Sequence, residues 1–124
     1  MAHKYPVNWF EIPASNFKRA VNFYSTVFDK EFPVTHMNGS DMAFFSTEPL
    51  EVSGVIIAGE GAEPSNKGVL LYLNGGDDLS VPLSKIESAG GTIVVPKTRI
   101  SDELGCYAIF MDSEGNRLAL HSMK

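Results

Sequence analysis

Few residues of this chain have the type and spacing that chemistry requires. Ser15-Asn-Phe-Lys18 spells S-x-x-K, in which a lysine could activate a serine nucleophile. No companion motif accompanies it, and Ser15 stands where a helix needs a cap. Cys106 is the single cysteine, which excludes an intramolecular disulfide and a multi-cysteine metal site. It lies on an expected strand and reads as a small buried hydrophobe rather than a nucleophile. His3 falls in a terminus and His36 in an expected loop, so neither suggests a ligand set. No G-x-S-x-G and no phosphate-binding glycine loop occurs. Phe110-Met-Asp-Ser-Glu-Gly-Asn116 reads as a strand ending in a tight turn. Asp112 can cap that turn and Gly115 can take the positive φ it needs, so the motif is explained by geometry without chemistry.

Composition narrows the partners. The 124 residues suffice for one domain with a real core, and an apolar content of 44% argues against disorder. The net charge of −5 and the scattered basic residues are the opposite of what a phosphate backbone selects, so nucleic acid is not expected. No apolar run approaches the roughly 20 residues that span a bilayer, and the start carries no signal-peptide pattern. A cytoplasmic location and no membrane partner are the resulting expectations. Asn38-Gly-Ser40 spells a glycosylation acceptor and reads as a turn.

These residues must be held by elements whose order occurs twice. Val7 to Ile12 reads as a strand. Ser15 or Asn16 then caps a helix in which Phe17, Ala20, Val21, Tyr24, Val27 and Phe28 recur at helical spacing. Strands are expected at Glu31–Val34, Met42–Ser46 and Gly54–Ala58, with breaks at Gly39-Ser-Asp41 and Glu48-Pro49. Ala58 to Lys67 is polar, rich in Gly and Pro, and reads as a linker. The order then repeats: strand Gly68–Leu73, turn Asn74–Asp78, helix Leu79–Ala89 closed by Gly90-Gly91, and strands Thr92–Val95, Cys106–Met111 and Arg117–His121. Pro82 falls in the first turn of its helix, where a missing N–H is tolerated. The expected fold is α+β, a single domain over 1–124 made of two βαβββ units, about 5–60 and about 67–122. Pairing two such units buries sheet edges and leaves a half-open cleft.

This order resembles the glyoxalase / bleomycin resistance protein / extradiol dioxygenase superfamily, the vicinal oxygen chelate proteins. Three passages carry the resemblance: Trp9 to Tyr24, ending in A-x-x-F-Y; Leu83 to Thr92; and Phe110 to Asn116, close to F-x-D-P-x-G-N with Ser113 in place of proline. The resemblance covers nearly the whole chain. It implies a paired-unit cleft, a small-molecule ligand and a homodimer. Similar enzymes hold a divalent metal with one side chain from each of four strands, which supplies Lewis-acid chemistry. Carried over residue by residue, those positions fall on Trp9, near Ile56, near Leu70, and on Ala119. None of these side chains coordinates such a metal. The departure counts against every metal-dependent activity of the family, including lactoylglutathione lyase and ring cleavage, and no cofactor is expected. A divalent metal enters only if an enzymatic site has been rebuilt.

Strand parity then supplies the remaining candidates. Glu11 shares a face with Trp9, Tyr72 with Leu70, and His121 with Ala119. Glu11 and His121 could form an acid–base pair or two ligands of an unusual site. A solvated rim residue and a C-terminal residue are the plain alternative. Trp9 and Tyr72, with Phe44 or Phe45, could wall a site for a flat ligand, or simply fill the core. The leading expectation is a metal-independent cleft for a small, partly aromatic molecule. The alternative is a lyase, isomerase or dioxygenase using Glu11 and His121.

Overall fold

A computed structural model describes residues 5–48 and 52–124. His3 and the Pro49 break lie outside these residues. Ten elements follow in order: β1 (Trp9–Pro13), α1 (Phe17–Phe28), β2 (Val34–Met37), β3 (Ser40–Phe44), β4 (Ser53–Ala58), β5 (Leu71–Asn74), α2 (Ser80–Leu83), β6 (Thr92–Ser101), β7 (Gly105–Met111) and β8 (Arg117–Ser122). They form two four-stranded sheets, ordered β1-β4-β3-β2 and β5-β8-β7-β6. In each, the first strand runs parallel to the last and the other pairs are antiparallel. The fold is α+β, and its two βαβββ units repeat the same strand order.

Local chemistry explains the boundaries. Asn16 caps α1 by accepting a 3.1 Å hydrogen bond from the Arg19 N–H, and Asp29 ends the helix in the left-handed conformation. β2 begins at Val34, where the expected strand ends. Asn38 and Gly39, at φ 53° and 77°, make a turn with two positive φ values, so Met37 pairs with Ser40 and the register runs back from there. Phe32, expected on the strand, instead enters the core at 6% exposure. β5 likewise starts at Leu71, later than expected. β6 runs on to Ser101, past Pro96, because it is an edge strand with three register irregularities.

The second helix is shorter than its sequence pattern. Regular α-helix spans four residues, Ser80–Leu83, and the chain continues to Gly90 as turns with mixed i+3 and i+4 bonds. The Ser84 and Ser88 hydroxyls donate to Val81 O and Lys85 O at 2.8 and 3.2 Å, which competes for the carbonyls a longer α-helix would use. Its apolar face is nevertheless buried through Leu79, Leu83 and Ile86.

One hydrophobic cluster joins both units, with α1 contributing to each. Tyr24 packs edge-on against Phe45 of the first unit, with ring centroids 5.7 Å apart. Phe23, one residue earlier, stacks on Phe110 of the second at 6.2 Å. Gly54 is needed for a different reason: it pairs with Phe10 across β1 and β4, and the Phe10 ring occupies the space a Cβ would take.

Candidate functional site

β-register assigns the faces. Paired strands carry Trp9 beside Ser53, Glu11 beside Val55, and Phe44 beside Val55. Trp9 and Phe44 therefore share one face of the first sheet and meet edge-on at 6.2 Å. In the second sheet, Tyr72, Ala119 and Ile109 lie side by side, and His121 falls between Asn74 and Tyr107. Trp9 and Tyr72 remain 45% and 50% exposed, unusual for large aromatic side chains on strands.

Phe45 stands apart from Phe44. Adjacent strand residues point to opposite faces, and Phe45 turns to the helix-covered side. There its ring lies 5.2 Å from Phe10 and 4.8 Å from Phe32. A cavity of about 680 Å³ opens at this point between the units. The first unit lines it with Phe10, Phe28 and Phe45; the second lines it with Leu71, Tyr72 and Leu73. Lys30 and Asn74 add polar groups at its wall, and the Lys30 ammonium donates to the Phe45 carbonyl. The size is that of a site for a drug-sized molecule. Tyr72 and Phe45 thus line a common space, whereas Trp9 and Phe44 form a separate aromatic surface. Phe10, Phe28 and Lys30 were not singled out from the sequence. The alternation in β1 could have flagged Phe10, but nothing local shows that β5 lies opposite it.

Glu11 and His121 share no hydrogen bond. Glu11 is exposed, and its side chain makes no hydrogen bond or ion pair among the described residues. His121 Nε2 lies 2.6 Å from the Leu104 carbonyl, in the turn between β6 and β7, so this nitrogen serves as a donor there.

The metal positions that the resemblance implies carry no metal-binding side chain. Ile56, near which the second position was expected, pairs with Ile12 and is fully buried; its neighbours Val55 and Ile57 point to the other face of the strand, and Val55 too is buried. The four expected positions and their strand neighbours then carry indole, alkyl, phenol and methyl groups, which lack the imidazole and carboxylate donors the role requires. Among the described residues no cluster of three or more His, Cys, Asp or Glu could hold an ion. No helix among them is long and apolar enough to cross a membrane.

The β7–β8 hairpin does more than shape an edge. Asp112, 4% exposed, accepts from the Tyr24 hydroxyl at 2.6 Å, from Asn116 Nδ2 at 3.0 Å, and from the Glu114 and Asn116 N–H groups at 2.9 Å each. Burial first, and then the adjacent Asp112 carboxylate, push the Tyr24 hydroxyl well above its ordinary pKa. Glu114 reaches the start of α1 in the other unit. Its carboxylate accepts from the Ser15 and Asn16 N–H groups at 3.0 and 2.8 Å and from Arg19 Nε at 2.7 Å. Burial raises its pKa, but the hydrogen bonds from Arg19, Asn16, Ser113 and Ser15 outweigh that and hold it at about 2.

No family model matches the sequence, and no curated protein matches it significantly. Solved structures do match. The antibiotic-binding protein TnmS3 from Streptomyces sp. CB03234 superposes with a TM-score of 0.69 at 22% identity, over 98% of both chains. A glyoxalase/bleomycin resistance protein from the same Streptomyces gives 0.66 at 22% identity, over 94% of this chain and 99% of that one. Glyoxalase I from Zea mays gives 0.70 at 17% identity; the match takes in 94% of this chain but 44% of the maize enzyme, so the chain spans under half its length. Two βαβββ units in one strand order, joined through a shared core and superposing on these proteins over nearly the whole of this chain, have the glyoxalase/bleomycin resistance fold.

Proposed function

We propose that this protein binds a small, partly aromatic organic molecule in the groove between its two units, and that it does so without the metal of the related enzymes. The half-exposed Tyr72, lining one cavity of about 680 Å³ with Phe10, Phe28 and Phe45, carries this reading. Flat rings stack or pack edge-on against such walls, and Lys30 offers a charge for an anionic substituent. The likeness to an antibiotic-binding protein supports a role in holding a ligand rather than transforming it. The Trp9–Phe44 surface remains open on the other face, and a second copy of the chain would cover it as a homodimer.

Calorimetric titration with the aromatic probe 8-anilinonaphthalene-1-sulfonate tests the groove. Tyr72→Ala should weaken binding at least about tenfold, or about 1.4 kcal/mol, with unfolding midpoint unchanged. Trp9→Ala should also weaken it if the partner copy completes the site. Unchanged affinity in both variants overturns the proposal.

The alternative, an enzyme with a site rebuilt on Glu11 and His121, has less support, because the Glu11 side chain has no orienting partner among the described residues and one His121 nitrogen is engaged by Leu104. Elemental analysis of protein purified without chelators or an affinity tag separates the two. Binding without metal predicts no stoichiometric zinc, nickel, manganese or iron. One equivalent of any of these, with activity lost in His121→Ala, establishes the alternative.

A further inference from the structure

A second cavity, beside the aromatic groove, has a different chemistry. It is an open depression of about 170 Å³, lined by Glu11 and Glu63 together with Lys67 and Arg117. The four come from three segments that a single buried side chain holds in place. Asn116, 6% exposed, donates through Nδ2 to Pro13 O at 2.7 Å, which ties down the end of the strand carrying Glu11. Its Oδ1 accepts from Ser65 N at 3.0 Å, midway between Glu63 and Lys67. Arg117 follows Asn116 directly, and its N–H donates back to Ser65 O at 3.3 Å.

Two anions and two cations thus surround one small space, yet none of the four forms an ion pair among the described residues. Four surface charges free of one another can each take up a charge from a ligand without breaking an existing bridge. The arrangement is not symmetric. An adjoining depression of about 300 Å³ shares Glu11, Pro13 and Glu63 and adds Glu60, with no cation in its wall. Glu11 and Glu63 line both depressions, so the wall the two share is anionic.

We propose that this pair of cavities is a binding site for a cationic amino acid. Its α-carboxylate meets Arg117 and Lys67, and its ammonium groups meet Glu11, Glu63 and Glu60. Guanidinium and carboxylate pair in a bidentate fork, so Arg117 is the anchor. The groups are largely solvated, so binding is weak and falls as salt rises. The site stands independently of the aromatic groove.

Titration of the full chain with L-lysine at low ionic strength tests it, with L-glutamate and 1,5-diaminopentane as probes that reverse the side-chain charge or lack the carboxylate. L-lysine should bind at least about tenfold more tightly than either. Arg117→Ala, and separately Lys67→Ala, should reduce L-lysine toward the diamine's affinity while circular dichroism and the unfolding midpoint stay at wild-type values. Tyr72→Ala should leave L-lysine binding unchanged. The proposal is overturned if L-lysine does not bind, if either control binds as well, or if both cation variants that remain folded retain wild-type affinity.

Discussion

Asp112→Ala should destabilise the protein by on the order of 4 kcal/mol, the largest effect expected of any single substitution in the β7–β8 hairpin. The carboxylate accepts four hydrogen bonds, and no described buried side-chain polar atom lacks a partner while it is present. Removing it leaves the Tyr24 hydroxyl, fully enclosed between α1 and the second unit, with nothing to donate to. A buried donor left unmatched costs about 1–3 kcal/mol, and the turn N–H groups of Glu114 and Asn116 lose their acceptor as well. Tyr24→Phe is the complementary change. It removes the hydroxyl but leaves Asp112 its three other donors, so a loss of about 1–2 kcal/mol is expected. Urea unfolding of both variants measures this. A loss below about 1 kcal/mol in Asp112→Ala would show that the hairpin is held by its apolar neighbours instead.

Glu114→Gln should cost about 1–2 kcal/mol at neutral pH, less than the full shift because the half-exposed Arg19 is screened by water, and should flatten the acid limb of stability. The side chain is inaccessible to solvent, and its carboxyl is held at about 2 against an ordinary 4.5. A carboxyl with a lower pKa in the folded state stabilises that state only while ionised. The contribution is therefore complete above 4.5 and disappears as pH falls from 4.5 toward 2. Wild-type stability should drop through that window, and the glutamine variant, which cannot titrate, should drop less. Parallel curves for the two proteins would sink this account. The effect reaches across the molecule, because Glu114 supplies the anion at the N-terminus of α1, which has no acidic residue in its own first turn.

Much of the architecture was legible in the residues. The periods of 2 and 3.6 separate strands from helix, and Asn16, Gly39 and Gly115 punctuate them through capping and positive φ, which are local properties. The less legible parts each depend on a distant neighbour. Phe23 lay outside the helical stripe because a single stripe suits a helix covering one sheet; α1 also meets Phe110 of the second unit and buries a further residue. Phe44 and Phe45 were interchangeable in the sequence because parity says only that they face opposite ways. Packing of Phe45 on Phe10 and Phe32 decides which one borders the groove. The expected second helix was overextended because its apolar spacing continues while its serines compete for the carbonyls.

The sequence by itself determined the βαβββ order, its repetition, and the absence of metal donors at Trp9 and Ala119, since these follow from residue type and short-range spacing. Only the tertiary structure decided that Glu114 caps a helix 95 to 99 residues away, that Asn116 gathers four charges around one cavity, and that Tyr72 and Phe45 line another. Such contacts form when two units bury a common core. Their energies depend on desolvation and geometry across that interface, which no local run of residues encodes.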